Sequence, residues 1–251
     1  MELGLSDRVY VLTGATKGLG FATARCLVAD GARVVVSSRS RESVDRAVAE
    51  LGSNATGIVA DLADPGTPDA LVAAARDRFG RLDGALVSVG GPPGGGPLDG
   101  TDEQWTESFR SVFLGTVRTT RTIAGQLGEG GVIALVLSTS VRTPLSGLSI
   151  SNGLRPGLAM WAKDLADAVG PRGVRVVSLL PGSILTDRGR DLLARNPDPE
   201  QARADTEARI PLRRMGQPAE FGRVAAFVLS PAASYLTGIA LPVDGGILRA
   251  L

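Results

Sequence analysis

Three consecutive pieces near the start of the chain constrain the fold most. An apolar run, Val9-Tyr10-Val11-Leu12, meets Thr13-Gly14-Ala15-Thr16-Lys17-Gly18-Leu19-Gly20 and then Phe21 to Val28, whose apolar residues recur at helical spacing. Strand, glycine-rich turn and helix together set unpaired backbone N–H groups at a helix N-terminus, where a pyrophosphate can bind. In this reading Gly14 allows the tight turn, Gly18 lets the phosphates approach and Gly20 lets helix and strand pack closely. Thr16, Lys17 and Leu19 complete the candidate cradle. Glycine clusters also mark ordinary turns, so context matters. Here a second β-like run, Arg33 to Ser37, follows Asp30-Gly31. The expectation is a nucleotide-binding βαβ unit.

The alternation continues to the end of the chain. β-like runs lie at 8–12, 33–37, 57–60, 84–89, 132–137, 174–180 and 239–243. Helix-like segments lie near 18–29, 41–51, 66–79, 102–127, 156–169 and 218–229. This pattern predicts an α/β, Rossmann-type, doubly wound parallel sheet, one domain over 251 residues. Two segments break the rhythm. Gly90 to Pro97 is too rich in Gly and Pro for a helix or an interior strand, so it reads as a loop at a strand's C-terminal end. The other, 183–214, is polar and arginine-rich, with Pro197, Pro199 and Pro211. Both rise at the ligand-binding side of such a sheet, and 183–214 is the expected substrate lid.

Charge narrows the partners. Lys+Arg 27 against Asp+Glu 26 gives a net charge of +1, which favours neither nucleic acid nor an anionic membrane. No stretch is long and apolar enough for a membrane span, and the first residues lack the pattern of a signal peptide. The single cysteine, Cys26, excludes an intrachain disulfide and fits a reducing, cytoplasmic setting. The chain has no histidine, two lysines (Lys17 and Lys163) and two tyrosines (Tyr10 and Tyr235). The usual proton carriers near neutral pH are nearly missing.

The second strand bears on the nucleotide. It ends Ser37-Ser38-Arg39, without the carboxylate that would hold a ribose 2′-hydroxyl. Arg39 offers a planar fork for a 2′-phosphate and Lys17 a second charge, which favours NADP(H). After the third run, the carboxylate of Asp61 in Ala60-Asp61-Leu62 either accepts the adenine amino group or caps the following turn.

These residues resemble the short-chain dehydrogenase/reductase family over nearly the whole chain, most closely its β-ketoacyl-carrier-protein-reductase-like group. Thr13 to Gly20 is similar to the family's Thr-Gly-x-x-x-Gly-x-Gly turn. Pro181-Gly182-Ser183-Ile184-Leu185-Thr186 is similar to the Pro-Gly segment that touches the nicotinamide carboxamide in that family. Arg214 to Glu220, Ser234 to Gly238 and Val243 to Gly246 follow the same pattern. The resemblance implies a nicotinamide cofactor held by the glycine turn, Ser38, Arg39, Asp61, Leu62, Ser88, Gly90, Arg155, Pro181, Gly182, Ile184 and Thr186.

The catalytic set departs from the family. Its members pair Tyr-x-x-x-Lys on one helix face, with a Ser thirteen residues before the Tyr and an Asn on an earlier helix. The matching positions here are Ser151, Arg155, Ser138 and Val112, so the serine alone is kept. The family's Asn-Asn-Ala-Gly reads Val87-Ser88-Val89-Gly90. A serine is a weaker and shorter acid than a phenol, and Arg155 is never deprotonated. Pro156 implies that the helix begins or kinks there, leaving 151–155 irregular. Three readings follow. One is an NADP(H)-dependent oxidoreductase on a small carbonyl or alcohol, using Ser138, Ser151 and Arg155. The second is a non-redox enzyme such as a cyclase, isomerase or lyase. The third is an inactive nucleotide-binding or assembly partner. The resemblance also implies a homo-oligomer, tetramer or dimer, formed through 102–127, the helix near 156–169 and the run ending at Leu251.

Overall fold

Seven strands pair in parallel: β1 (Val9–Leu12), β2 (Arg33–Ser38), β3 (Ala55–Val59), β4 (Gly84–Val87), β5 (Val132–Val136), β6 (Arg175–Pro181) and β7 (Ile239–Val243). Their order across the sheet is β3-β2-β1-β4-β5-β6-β7. The central strands β1, β4 and β5 are buried at every residue, as continuous apolar runs covered on both faces must be. Tyr10 sits opposite Val34 on one side and Gly84 on the other, which sets the register at the centre. From β1 the chain winds outward to β3, and from β4 it winds the opposite way. The crevice between the C-terminal ends of β1 and β4 is therefore the switch point where such sheets bind ligands.

Helices close both faces. On one, α1 (Gly18–Ala29) and α9 (Pro218–Leu229) bury Ala24, Leu27, Phe221 and Ala225 against the sheet. On the other, α3 (Thr67–Phe79), α5 (Gly115–Gln126) and α6 (Ser149–Val169) bury Leu71, Ile123, Leu158 and Ala162. The helix α2 (Arg41–Leu51) starts on a Ser40 cap and packs beside β2 and β3. The computed structural model describes residues 2–194 and 196–249. Among them, no helix is long and apolar enough to cross a membrane.

Two segments differ from their sequence-based expectation. The lid segment holds two helices, α7 (Asp187–Ala194) and α8 (Pro199–Arg209). The second has a readable start: Asp198 caps it by accepting from the Gln201 N–H at 2.9 Å, with Pro199 in the first turn. The larger correction concerns α6, which begins at Ser149 and runs through Pro156 without a break. Gly153, Pro156 and Gly157 cost a helix roughly 1, 3 and 1 kcal/mol against alanine. Packing outweighs that cost. Ile150, Leu154 and Leu158 are buried on one face, while the rings of Trp105 and Phe113 lie directly on the two glycines. A Cβ at Gly153 would stand 2.7 Å from the Trp105 ring, and one at Gly157 3.0 Å from Phe113. Both rings come from one long helical stretch, α4 (Asp102–Ser108), a π-helical turn (Phe109–Leu114) and α5.

Candidate active site

The glycine turn is shaped by backbone. Gly14 and Gly18 have φ of +57° and +58°, the left-handed region that favours glycine. A Cβ at Gly14 would lie 2.8 Å from the Ser88 carbonyl oxygen. One at Gly20 would lie 2.8 Å from both Ala15 Cα and the Gly14 carbonyl oxygen. The Thr13 hydroxyl donates to the Ser88 carbonyl at 2.6 Å and accepts the Ser88 N–H at 2.9 Å, locking β1 to the end of β4. Helix α1 starts with no side-chain cap on its first amides. Those N–H groups remain available to an anionic ligand.

The other end is built by side chains from β5 and α6. Ser138 follows β5, and its Oγ accepts the Ser140 N–H at 3.1 Å. With its acceptor side engaged, the Ser138 hydroxyl can donate. Because α6 is helical throughout, Ser151 and Arg155 stand on one face, four residues apart. Both are 6% exposed. Arg155 Nε donates to Ser151 Oγ at 3.2 Å, and Nη1 donates to the Val136 carbonyl at 3.0 Å. The guanidinium thus spans the gap between α6 and the end of β5, with Ser151 as its orienting acceptor. Val112, which the sequence reading sets at the position of the family's Asn, is buried within the π-helical turn.

Both ends open into one cleft of about 560 Å³. It is lined by Gly14, Lys17, Gly18, Leu19, Gly20, Ser88 and Gly90, and also by Ser138, Ser151, Arg155, Pro181, Gly182, Ile184 and Thr186. Thr16, Ser38, Arg39, Asp61 and Leu62 do not line it. Thr16 and Leu62 are buried, and Arg39 is exposed beyond β2. Asp61 Oδ1 accepts the Ala63 N–H at 2.9 Å, so that oxygen caps the turn. The lid contributes Asp187, Leu192, Leu193, Asn196 and Thr206, while Leu145, Leu148, Met215 and Ile247 complete the wall. Apart from Met215, which lies in the Arg214 to Glu220 stretch, those aliphatic residues carry no motif, and only their place in the fold reveals them.

Neither tyrosine reaches the cleft. Tyr10 is fully buried, its hydroxyl donating to the Leu229 carbonyl at 3.0 Å, and burial pushes its phenol well above the usual range. Tyr235 is fully exposed. Lys163 pairs with Asp167 on the outer face of α6 at 3.3 Å. No group of three or more potential metal-ligating side chains occurs among the described residues.

Comparison with known proteins agrees with this architecture. A family model described as Enoyl-(Acyl carrier protein) reductase matches residues 14–248. Human dehydrogenase/reductase SDR family member 4 is 34% identical over 249 residues, covering 96% of this chain and 88% of that protein. L-rhamnose 1-dehydrogenase (NAD(P)(+)) of Azotobacter vinelandii is 32% identical, covering 97% of each. Among solved structures, L-sorbose reductase of Gluconobacter frateurii, complexed with NADPH and L-sorbose, superposes with a TM-score of 0.91 at 28% identity over 100% of both chains. A short chain oxidoreductase of Pseudomonas aeruginosa PAO1, described as containing an atypical catalytic center, gives 0.91 at 27% identity, covering 99% of this chain and 100% of that one. With its seven-stranded parallel sheet and glycine turn, the chain belongs to the short-chain dehydrogenase/reductase family, oxidoreductases that act on small molecules with a nicotinamide cofactor.

Proposed function

We propose that the chain is an NADP(H)-dependent oxidoreductase of a small carbonyl or alcohol substrate, working through Ser138, Ser151 and Arg155. The observation that carries this reading is one cleft joining the uncapped glycine turn to a buried Ser151–Arg155 pair. The residues fit the cofactor. The left-handed glycines leave room that a Cβ would fill, and no carboxylate ends β2 to repel a 2′-phosphate. Gly14, Lys17, Gly18, Leu19 and Gly20 would hold the pyrophosphate, Lys17 and Arg39 the 2′-phosphate, and Ile184 and Thr186 the nicotinamide end. Asp61 and Leu62 would flank the adenine. When bound, the cofactor supplies or accepts the hydride.

The chain's own residues handle the oxygen. Ser138, its acceptor side taken by the Ser140 N–H, donates a hydrogen bond to the substrate oxygen. The Arg155 guanidinium stabilises negative charge there as it develops, and Ser151 keeps that fork aimed. Arg155 stays charged throughout, so the transferred proton comes from water or from the substrate. Fluorescence titration with NADPH and NADH, followed by NADPH oxidation across a ketone panel, tests the reading. Tighter NADPH binding with turnover supports it. Equal or tighter NADH binding, or no turnover of any ketone, counts against it.

A homo-oligomer in the cytoplasm completes the proposal. Phe109 and Leu114 on the π-helical turn and Met160 on α6 are exposed apolar side chains that an interface would cover. Ala250 and Leu251, at the end of the third expected contact segment, lie outside the described residues. Light scattering at micromolar concentration distinguishes tetramer and dimer from monomer.

A further inference from the structure

The wall of the cleft beyond the glycine turn and the serines has a distinct chemistry. Resting on the oxidoreductase reading above, we propose that the substrate is an apolar carbonyl compound or its alcohol, a cyclic or aliphatic ketone with few further polar groups, and not a polyhydroxylated one.

Separate segments converge on this wall with aliphatic side chains. The loop leading into α6 supplies Leu145 and Leu148, the lid helix α7 supplies Leu192 and Leu193, and the C-terminal part of the chain supplies Met215 and Ile247. The loop is pinned in place, since Gly95 and Leu148 form a β-bridge in which the Gly95 N–H donates to the Gly147 carbonyl at 2.8 Å. The polar side chains on the same segments spend part of their hydrogen-bonding capacity inside the protein. Asn196 Nδ2 donates to the carbonyls of Leu192 and Leu193 at 3.2 and 3.3 Å. The Thr206 hydroxyl donates to the Ala202 carbonyl at 2.8 Å. Asp187 accepts from Arg190 at 2.7 Å. Among the described residues of these segments that line the cleft, Ser146 and Ser183 keep hydroxyls outside the hydrogen bonds within the protein.

This distribution of polar groups decides between two substrate classes. Each ligand hydroxyl stripped of water without a partner weakens binding by roughly tenfold. Each methylene buried on an aliphatic wall tightens it by roughly fourfold. A ketohexose would press hydroxyls against the leucines without partners, whereas a ring ketone of similar size would place one oxygen toward Ser138 and Arg155 and its carbons against those leucines.

Calorimetry on the full chain with NADP+ present, which cannot reduce either ligand, compares 1-cyclohexylethanone with a ketohexose. The ketone is expected to bind at least tenfold tighter. Leu145→Asn and Leu193→Asn should each weaken the ketone about tenfold and leave nucleotide affinity unchanged, while Leu193→Met should keep ketone affinity near that of the parent chain. A ketohexose that binds as tightly as the ketone overturns the proposal. So does the absence of saturable ketone binding, or ketone affinity unmoved by both Asn variants. Failure to bind nucleotide appears in the first titration and counts against the cofactor reading alone, because ketone binding can still be compared without nucleotide.

Discussion

At the glycine-turn end of the cleft, Gly14, Gly18 and Gly20 work by lacking side chains, and the groups offered to a ligand are main-chain amides of α1. At the α6 end, Ser138, Ser151 and Arg155 are side chains held in place by packing and hydrogen bonds to one another and to the sheet. On the sequence reading, the first end keeps the family's pattern residue by residue, and the second keeps one serine and exchanges the rest. A backbone cradle tolerates almost no substitution, because an added carbon at Gly14 or Gly20 collides with main chain and Gly18 holds a left-handed backbone that other residues rarely adopt. A side-chain site can be rebuilt on the same helix so long as its positions still point into the cleft. The fold thus secures where a ligand sits more strictly than what is done to it.

The comparison can be broken most severely at its rigid end. Gly14→Val sets a branched side chain at φ +57°, against the Ser88 carbonyl. Titration should show NADPH affinity falling by about a hundredfold or more, and urea unfolding a loss of roughly 1–3 kcal/mol. Next in size is Arg39→Asp, which under the proposed function removes a charge-assisted contact to a 2′-phosphate and should reverse the proposed NADPH-over-NADH preference, shifting the ratio of the two dissociation constants by about thirtyfold. At the rebuilt end, Arg155→Ala should lower kcat/KM with an accepted ketone by more than about tenfold through lost oxyanion stabilisation. Ser151→Ala loses an orienting acceptor and should cost less than about fivefold. A thousandfold loss for Ser151→Ala at unchanged nucleotide affinity would make Ser151 the proton donor and overturn this division of roles, since losing a general acid typically costs about 10²–10⁴-fold.

The smallest effect concerns how the lid is moored. Arg214 holds Glu220 at 2.6 Å, and the Gln217 N–H donates to the same carboxylate at 2.8 Å. Arg214 first, and then that amide, lower the Glu220 carboxyl from 4.5 to about 2. A depressed folded-state value means that its stabilisation is present above about 4.5 and is lost as the pH falls toward 2. Both partners are substantially exposed, so solvent screening keeps the contribution small. Urea midpoints of the parent chain and Glu220→Gln should differ slightly at pH 6 and converge as the pH falls toward 2.

Sequence reading succeeds where local rules and burial agree. Every β-like run becomes a strand within a few residues, because Val-rich runs between turn residues have no better place than the middle of a sheet. The helix-like segments at 18–29, 41–51 and 218–229 match α1, α2 and α9. It fails at α6, where propensity argues against helix at Gly153, Pro156 and Gly157, and only the arrival of Trp105 and Phe113 from a distant stretch tips the balance back. It also overlooks α8, although Asp198-Pro199 announces a helix start. Of the candidate site, the family resemblance points to the glycine turn, Ser138, Ser151 and Arg155, which the fold brings to one cleft. The aliphatic wall is not legible, because Leu145, Leu148, Leu193 and Ile247 look like any other apolar residues until the fold assembles them.

The two glycines under the aromatic rings have a consequence for order within α6. Because Pro156 lacks an N–H, the turn bearing Ser151 and Arg155 lacks a main-chain bond to the Asn152 carbonyl, and it depends on Trp105 and Phe113 for support. The later part of the helix, from Leu158 to Val169, has no such interruption. Amide protons in the first turns should therefore exchange with solvent through local opening at lower cost than those further along. A ligand that engages Arg155 would draw these turns toward the protection of the rest of the helix, making hydrogen exchange at 151–155 a direct gauge of occupancy.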